Sequence, residues 1–527
     1  MQGVGGGCAV WTFQRVFLAV KAMVHTMEGL PTPEAVIAAL MEGSPALGRH
    51  IALLRTGLFT TPESRYSFLV ANPFLTFRAY GPRCEISVPD GERTTLFGNP
   101  WDQLQTLLSR YELLEEIDLP FPLGGCFGFF GYDLKNFVER KLPRSTIDDL
   151  DLADCFAGFY SSVVVFDHLR QETIIVSTGL DADGTRSQVK AQAELDFWRR
   201  TIAGAEAEHP HEFANASSLA VSEVRSNMTR AEYEAAVAKA IRYIRQGDIY
   251  QVNLAHRLTT SLTDSAVPKE NAAQSWEFYL RLLEASPAPF AAYLDAGDFQ
   301  LASSSPERFL RLSGAHIQTR PIKGTRPRDA DPTRDAQLTY ELQTSAKEMS
   351  ELVMITDLLR NDLGRVCEFG SVHVPELVRL ERYPQVQHLV STVEGRLRPD
   401  VTHLRALAQC FPGGSITGAP KIRAMQIIDE LETVTRGPYT GALGYLGFNR
   451  ESQLNILIRT AVLKDGRAHF HVGAGIVADS DPAAEYDETI AKAAGFLRAI
   501  QRGQLSPISG LNTCFISRSN FTETPAD

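Results

Sequence analysis

The chain has 527 residues and a mass of 58.1 kDa, and 44% of its residues are hydrophobic, which is enough for one or two folded domains with a sizeable core. Because 63 acidic residues outnumber 52 Lys and Arg, the formal net charge is −11, which argues against a nucleic-acid binder and against a protein held on anionic membranes. Seven cysteines without a C-x-x-C pair favour a reduced, cytoplasmic location. The sequence contains no apolar stretch long enough for a transmembrane helix.

An extension of unassigned role is predicted at 1–27, where no convincing cleavage site indicates a secretory signal. The N-terminal region that follows, 28–203, alternates strand-like runs with turns. Its glycine-rich segment 124–133 fits neither a dinucleotide fingerprint nor a P-loop, and it predicts close packing between strands. The clearest predicted strands are Tyr66–Val70, Leu75–Tyr80, 163–165 and 173–177.

A polar segment at 204–226 is typical of a linker, a larger domain is predicted at 227–502, and a frayed tail is expected at 503–527. Thr229 and Glu232 have the spacing of a capping box at the start of the first helix of this domain. Helical and strand-like runs then alternate to its end, and this pattern alone predicts a parallel sheet.

Two predicted helices of the larger domain each begin with two carboxylates three residues apart, Glu348 with Glu351 and Glu485 with Glu488. This spacing places both members of a pair on one helical face. Carboxylate oxygens are the ligands that Mg²⁺ prefers. Acids in a first turn also offset the helix dipole, so each pair taken alone is more typical of a structural role.

Lys323 lies in a basic segment with three arginines within five residues. A lysine nucleophile must first lose its proton, and nearby cations and desolvation favour the uncharged amine. The segment is a candidate for covalent chemistry on this ground. Taken alone, it is more typical of a solvated basic loop.

Three further segments carry groups suited to proton transfer or anion binding. Glu307 follows a predicted strand, where a general acid is well placed, although most such residues are ordinary turn acids. His388 lies beside a strand, as many structural histidines do. Ser415 belongs to a glycine-rich loop before a helix predicted at 422–431, and such a loop presents backbone N–H groups to anions.

Arg459 and Lys492 are cations able to meet carboxylates, and a small-residue turn is formed by Gly473, Ala474 and Gly475.

Taken together and in order, the motifs resemble the chorismate-utilising enzyme family. The resemblance spans about 229–502, and the motifs that carry it are 305–308, 345–351, 359–364, 414–421 and 473–475. It implies an α+β fold with two large facing antiparallel β-sheets and outer helices in one connected body. That expectation replaces the parallel sheet suggested by the pattern of elements.

The resemblance also implies roles for individual residues. Glu351 and Glu488 are expected to bind Mg²⁺ directly, with Glu348 and Glu485 assisting through water. Chorismate is the expected substrate, and its binding is assigned to Tyr439, Arg459, Ser415, Gly473, Ala474, Gly475 and Lys492. Gln251 stands where water-adding relatives carry a lysine base, which argues against isochorismate formation.

Lys323 indicates the aminating branch that serves folate synthesis, because the similar large subunits of anthranilate synthase carry alanine at this position. There the lysine attacks C2 of chorismate as the C4 hydroxyl leaves, and ammonia then attacks C4 and expels the lysine. The expected product is 4-amino-4-deoxychorismate, and Glu307 and His388 are the candidates for proton transfer. The alternative is anthranilate synthesis, in which ammonia adds at C2 and pyruvate is eliminated.

No cysteine-centred glutaminase motif occurs in the sequence, so the resemblance implies a separate glutamine amidotransferase subunit that delivers ammonia within a heterodimer. The N-terminal region resembles the effector-binding part of anthranilate synthases. Leu53-Leu54-Arg55-Thr56 stands there in place of Leu-Leu-Glu-Ser, which argues against a tryptophan effector.

Overall fold

The computed structural model of this chain describes residues 21–500, apart from 30, 43–49, 57–63, 90, 92, 115–117, 143–144, 208–222, 263–271 and 383–385. Its helices are α1 Pro33–Glu42, α2 Pro100–Leu108, α3 Lys135–Val138, α4 Gln188–Ala207, α5 Arg230–Arg245, α6 Ala272–Ala285, α7 Pro332–Thr344, α8 Ala346–Gly364, α9 His403–Cys410, α10 Lys421–Leu431, α11 Pro482–Lys492 and α12 Ala494–Ile500.

The strands form two large sheets. The first sheet contains β1 Met23–Glu28, β2 Ala52–Arg55, β3 Tyr66–Val70, β9 Ser162–Asp167, β10 Glu172–Ser177, β11 Arg225–Ser226, β12 Gln251–Ser261, β13 Phe290–Asp295, β14 Gln300–Ser305, β20 Gly418–Ala419, β23 Thr460–Lys464 and β24 Arg467–Ile476. The second sheet contains β4 Leu75–Tyr80, β5 Arg83–Ser87, β6 Arg93–Phe97, β7 Gly125–Phe130, β8 Cys155–Tyr160, β15 Arg308–Ser313, β16 His316–Thr319, β17 Ile322–Pro327, β18 His373–Arg382, β19 Val386–Arg396, β21 Ala442–Gly447 and β22 Glu451–Ile456.

Both sheets mix strands from the two ends of the chain. The first has the order β1-β10-β9-β3-β2-β13-β14-β23-β24-β12-β11, with β20 beside β12. The second has the order β17-β19-β16-β15-β22-β21-β7-β8-β4-β5-β6, with β18 beside β19. The predicted N-terminal region and the predicted larger domain therefore share both sheets, and the predicted single α+β body with two large antiparallel sheets is confirmed.

The pairings between the described strands are antiparallel, so the parallel sheet suggested by the alternating pattern was wrong. The reason is visible in β7, whose residues are buried on both faces. Phe127 and Phe129 pack between the two sheets, whereas Cys126 and Phe130 pack on the outer side with α2 and α9. A strand covered on both faces has a continuously apolar sequence, whether its neighbours run parallel or antiparallel to it.

Apolar clusters hold the layers together. One lies between the sheets, where Phe68 and Val165 of the first sheet meet Phe127 and Tyr445 of the second. The outer face of the first sheet is covered by α1, α4, α6 and α12 in one cluster and by α5, α10 and α11 in another. The outer face of the second sheet is covered by α2, α8 and α9.

Local predictions can be compared with these bounds. Thr229 and Glu232 form the expected capping box at the start of α5, and the close packing expected at 124–133 occurs at Gly128, where a Cβ would lie 2.0 Å from the carbonyl oxygen of Phe156. Of the segment predicted as a linker, its beginning lies in α4, its end forms β11, and 208–222 lies outside the described residues. In the described part of the chain, no helix is long and apolar enough to cross a membrane.

Candidate active site

A β-bulge sets the direction of the Lys323 side chain. In β17, Lys323 pairs with Leu389 and Thr325 pairs with His388, so Gly324 is an extra residue between the two pairs. Gly324 has φ +65°, a left-handed conformation that glycine adopts without a steric penalty. Because of the extra residue, Lys323 and Thr325 point to opposite faces of the strand. Lys323 faces α8, where its Nζ lies 3.9 Å from Oε2 of Glu351.

Glu307 occupies the short connection between β14 and β15, and its side chain is buried. Its Oε1 accepts a hydrogen bond of 2.7 Å from the hydroxyl of Ser415. Burial raises the pKa of Glu307 to about 7, although Ser415 and the charge of Lys323 both oppose the rise. The carboxyl therefore exchanges its proton near neutral pH, as a general acid or base should.

His388 and Arg459 line one cavity of about 200 Å³ together with Thr325 and Pro306. The Nδ1 of His388 lies 2.9 Å from the Thr325 hydroxyl, and burial lowers the pKa of His388 to about 4. Arg459 has φ +51°, and burial, with no opposing acidic neighbour among the described residues, lowers its pKa. An unneutralised guanidinium on a cavity wall is a binding group for a carboxylate.

The two acidic helix starts approach each other across the site. Burial raises the pKa of Glu351, the charges of Lys323 and Lys347 oppose the rise, and those of Glu348 and Glu488 add to it. Burial likewise raises the pKa of Glu485, and the charge of Glu488 adds to the rise. The hydroxyl of Ser480 donates a hydrogen bond to Glu485, which opposes it. Four carboxylates are thus gathered between α8 and α11, and Lys323, Arg326 and Lys492 each lie beside one of them.

This donor set suits Mg²⁺ in its chemistry, because carboxylate oxygens are hard ligands and Mg²⁺ keeps several waters. Among the described residues, however, no three His, Cys, Asp or Glu side chains converge into a closed metal cage. An ion held here would need water and substrate oxygens to complete its coordination. The residues fit an open site rather than a structural one.

The three arginines near Lys323 each lie beside a carboxylate. Arg320 pairs with Glu381, Arg326 lies 3.6 Å from Glu348, and Arg328 pairs with Asp335 at 2.8 Å. Each arginine therefore has a carboxylate beside it that offsets part of its charge.

The predicted carboxylate-binding groups lie close together on β24 and beside it. Lys492 donates to the carbonyl oxygen of Gly473 at 3.0 Å and also lies 2.7 Å from Glu488. A Cβ at Gly473 would lie 2.9 Å from the hydroxyl of Tyr439, so only glycine admits that hydroxyl. Ala474 lies between Gly473 and Gly475 in this strand and is buried.

Two amide side chains of β12 face the same glycines. A Cβ at Gly475 would meet the Nε2 of Gln251 at 2.6 Å, and one at Gly473 would meet the Oδ1 of Asn253 at 2.6 Å. The side-chain oxygens of Gln251 and Asn253 are buried and have no hydrogen-bond partner among the described residues. Buried acceptors without partners indicate a place for a ligand or water. Asn253 was not among the site residues predicted from the sequence.

Sequence reasoning missed two further charged residues. Lys347 is exposed in the first turn of α8, and its charge acts on both Glu351 and Glu485. Arg436 is buried beneath Tyr439, pairs with Glu432 at 2.6 Å and donates to the backbone oxygen of Asn253. Only part of their surroundings is visible in the sequence. Glu351 and Glu432 stand four residues from Lys347 and Arg436, whereas Glu485 and Asn253 are distant along the chain.

The glycine-rich loop around Ser415 is held by a buried ion pair. Lys421 donates to Asp362 at 2.6 Å and to the carbonyl oxygen of Cys410 at 3.1 Å. Two of the motifs identified in the sequence, 359–364 and 414–421, are joined by this contact. The pair fixes the loop that carries Ser415 against the end of α8.

The fold and the site define a class. An α+β body of two antiparallel sheets carries a buried glutamate with a pKa of about 7, a lysine, two acidic helix starts, and an arginine without a salt bridge among the described residues. A model of the family described as chorismate binding enzyme matches residues 58–498. The chain belongs to this family of chorismate-utilising enzymes, as its motifs predicted.

Similar proteins carry two names. Anthranilate synthase component 1 of Acetivibrio thermocellus is 39% identical over 445 residues, which are 83% of this chain and 87% of that protein. Aminodeoxychorismate synthase component 1 of Escherichia coli is 38% identical over 455 residues, which are 85% of this chain and 93% of that protein. The crystal structure of anthranilate synthase component I from Streptococcus pneumoniae matches with a TM-score of 0.69 and 31% identity, over 83% of this chain and 92% of that one.

Proposed function

We propose that this chain is the chorismate-aminating component of an aminodeoxychorismate synthase, which forms 4-amino-4-deoxychorismate for the synthesis of 4-aminobenzoate and folate. The similar proteins do not decide the product, because both names occur at nearly equal identity. The observation that carries the proposal is the position of Lys323. Its amine lies beside Glu351 and within the electrostatic influence of Glu307, where a nucleophile and an acid can act on one ring.

The proposed reaction has two substitutions. The amine of Lys323 forms a bond to C2 of chorismate, the ring double bond shifts, and the C4 hydroxyl leaves as water after protonation. Ammonia then bonds to C4, the double bond shifts back, and the lysine leaves C2. The net change is chorismate plus ammonia to 4-amino-4-deoxychorismate plus water, and covalent capture divides one difficult substitution into two easier ones.

Glu307 is the better candidate for the acid in the first step. Its pKa of about 7 leaves a large protonated fraction at neutral pH. His388, whose pKa is lowered to about 4, is uncharged under the same conditions and can only donate or accept as a neutral imidazole. We assign protonation of the leaving hydroxyl to Glu307, and contact with the substrate in the Arg459 cavity to His388.

The remaining groups bind and orient the substrate. Arg459 takes one carboxylate, and Lys492, Tyr439 and the backbone around Gly473 take the other. Mg²⁺ would be held by Glu351 and Glu488, with Glu348 and Glu485 assisting, and when bound it would neutralise the ring carboxylate. Glu307 is buried and Lys323 is half-buried, so both groups lie away from bulk water.

Ammonia is proposed to come from a glutamine amidotransferase subunit in a heterodimer. The names of the similar proteins, each a component 1, support a second component. The lack of a cysteine-centred glutaminase motif in this sequence supports the same arrangement.

Product analysis tests the proposal. The purified chain is incubated with chorismate, Mg²⁺ and ammonium chloride at alkaline pH, with and without an aminodeoxychorismate lyase, and the products are identified by mass. We expect 4-aminobenzoate only when the lyase is present. Anthranilate and pyruvate formed without lyase would assign the chain to anthranilate synthesis instead.

A further inference from the structure

Arg436 lies deep in the protein, in the connection between α10 and β21, and is 2% exposed. Its guanidinium forms a two-point ion pair with Glu432, in which Nη2 donates to Oε1 at 2.6 Å and Nε donates to Oε2 at 2.9 Å. Glu432 is fixed in turn by β12, because its Oε1 accepts a hydrogen bond of 2.9 Å from the backbone N–H of Ala255. Burial alone would lower the pKa of Arg436, but the charge and hydrogen bonds of Glu432 raise it above its ordinary value. The guanidinium is therefore charged and held in one orientation.

The other three N–H groups of this guanidinium reach three separate segments of the chain. Nη1 donates to the carbonyl oxygen of Ile416 at 3.2 Å and to the hydroxyl of Thr440 at 3.1 Å. Nη2 donates to the carbonyl oxygen of Asn253 at 2.8 Å. All five N–H donors that a guanidinium offers are therefore used. One side chain thus joins the loop at 414–417, the turn at 436–440 and the strand β12.

Each of the three segments carries a group of the candidate active site. The loop carries Ser415, whose hydroxyl donates to the carboxyl of Glu307. The turn carries Tyr439, whose ring centre lies 5.5 Å from the guanidinium carbon of Arg436. The strand carries Asn253, whose buried side-chain oxygen has no hydrogen-bond partner among the described residues. The partner of the acid and the tyrosine proposed to bind a carboxylate therefore depend on the same side chain for their positions.

A second cation lies on the far side of a neighbouring aromatic residue. The ring centre of Tyr132 lies 4.8 Å from the guanidinium carbon of Arg436 and 4.5 Å from Nζ of Lys135. Lys135 pairs with Asp429 at 3.1 Å and lies 3.5 Å from a carboxylate oxygen of Asp133. Lys135 thus has carboxylates of its own and does not take those that hold Arg436.

We propose that Arg436 is a positioning residue that fixes the loop of Ser415 and the turn of Tyr439 relative to each other, so that the acid and the bound carboxylate act on one substrate. It acts through these residues and takes part in no bond that forms or breaks. A lysine could keep the charge and pair with Glu432, but one ammonium group cannot reproduce the planar set of five donors. The inference rests on the proposed function only in taking Glu307 as the acid and Tyr439 as a carboxylate-binding group, and it holds for either candidate product.

Steady-state kinetics of chorismate consumption test this role, with saturating Mg²⁺ and with ammonium chloride at constant free ammonia. The variant is Arg436→Lys. The matched control is Arg423→Lys, because Arg423 also pairs with a carboxylate, that of Asp248 at 3.1 Å, and lies 5.3 Å from a tyrosine ring centre. In Arg436→Lys we expect KM for chorismate to rise about tenfold, the scale of one lost hydrogen bond, because Tyr439 is no longer held. The control should resemble the parent chain.

The pH profile of kcat/KM separates positioning from a general loss of structure. Arg436→Lys keeps the positive charge, and Lys323, the other charged group that acts on Glu307, is unchanged. A shift of the alkaline limb therefore reports geometry. We expect the limb to move to higher pH, as in Ser415→Ala, because the loop no longer places its hydroxyl on the carboxyl of Glu307. The double variant Ser415→Ala/Arg436→Lys should show no further shift, since the same hydrogen bond is lost only once.

A second variant, Glu432→Gln, retains the shape of the ion-pair partner and should move the limb in the same direction if Arg436→Lys does not fold. Urea unfolding shows which variants are folded. A folded Arg436→Lys chain that is less stable but keeps the parent's KM or the parent's limb would overturn the proposal, and so would additive shifts in the double variant. A limb that moves in neither Ser415→Ala nor Arg436→Lys would also overturn it, because Glu307 would then not be the titrating acid. A parent chain that forms anthranilate would overturn the proposed function alone, since these kinetics follow chorismate.

Discussion

The hydroxyl of Ser415 donates a hydrogen bond of 2.7 Å to Oε1 of Glu307, in a connection between two strands where the carboxyl is otherwise surrounded by protein. Burial and this hydrogen bond act in opposite directions on the carboxyl. Burial is the larger influence, so the pKa lies at about 7 rather than near that of a free glutamate. A substitution at Ser415 therefore changes the pKa of Glu307 without removing its carboxyl.

The first prediction concerns pH. If Glu307 acts as the acid, kcat/KM for chorismate falls as the pH rises through about 7, since the protonated form is then lost. Ser415→Ala removes a hydrogen bond that favours the carboxylate, so the alkaline limb moves to higher pH. The profile is measured at constant free ammonia, because the ammonium equilibrium would otherwise distort it. Glu307→Gln should abolish this limb together with most activity, and an unshifted limb in Ser415→Ala would assign the titration to another group.

The second prediction concerns the nucleophile. Lys323→Ala should lower turnover roughly 10³-fold or more, the scale on which the removal of a covalent nucleophile acts. Lys323→Arg should be as inactive, because a guanidinium stays protonated and cannot attack carbon. Product formation is measured by mass, and chorismate binding by calorimetry should persist in both variants. Lys239→Ala, a surface lysine paired with Glu430, is the control; full activity of Lys323→Ala would exclude covalent catalysis.

The third prediction concerns the bulge. At Gly324, with φ +65°, a Cβ would lie 2.6 Å from Cδ1 of Leu342 and 3.3 Å from the carboxyl of Glu348. Gly314 has a similar φ of +53°, but a Cβ there would meet no atom within 4 Å. Gly314→Ala should therefore cost about 1 kcal/mol of unfolding free energy through backbone strain alone.

Gly324→Ala should lower the unfolding free energy by about 1–3 kcal/mol more than the control Gly314→Ala, because overpacking is added to the same backbone strain. Urea unfolding measures the difference, and kcat/KM should fall only in Gly324→Ala, since the bulge directs Lys323. Equal costs in the two variants would show that Leu342 and Glu348 move aside without penalty.

The fourth prediction concerns the metal. Removal of divalent ions with a chelator should abolish activity, and Mg²⁺ should restore it. Glu351→Gln and Glu488→Gln should each weaken Mg²⁺ binding by about tenfold or more in calorimetry with substrate present. Glu376→Gln on the exposed edge strand β18 should leave the affinity unchanged. Unaltered binding in both site variants would place the ion elsewhere.

The fifth prediction concerns acid stability. Burial lowers the pKa of His256, His403 and His469 to about 4, so these rings stay neutral in the folded chain. In the unfolded chain they take up protons near pH 6.5. Their contribution to stability is therefore complete above pH 6.5 and is lost as the pH falls toward 4. Urea unfolding at several pH values should show this loss, and His403→Gln should reduce its slope; an unchanged slope would show that His403 titrates normally.

Local features of the fold were predictable from local sequence. The capping box of Thr229 and the strands Tyr66–Val70 and Leu75–Tyr80 occur where periodicity and cap chemistry placed them. Strand orientation was not predictable in this way. A buried position such as Phe127 requires an apolar residue whether the neighbouring strand runs parallel or antiparallel. The antiparallel architecture followed from the ordered motifs and not from the pattern of elements.

The site residues were likewise predictable from the sequence only in part. Residue types and spacing identified Lys323 and Glu351 as candidates, and the structure brings them within 3.9 Å of each other. The bulge that aims Lys323 depends on Gly324 opposing a strand about sixty residues later, which no local pattern reveals. Arg436 likewise acts through Asn253, nearly two hundred residues earlier in the chain.

The mixed order of the strands also has a consequence for synthesis of the chain on the ribosome. The strand β7 is flanked on one side by β8 and on the other by β21, which begins roughly three hundred residues later. At about 5–20 residues per second, that neighbour emerges on the order of 15–60 s after β7. During this interval Phe127 and Phe129 have no completed partner layer. We therefore expect the yield of folded chain to depend on translation speed and on chaperones that cover these aromatic residues, even though the finished fold buries them.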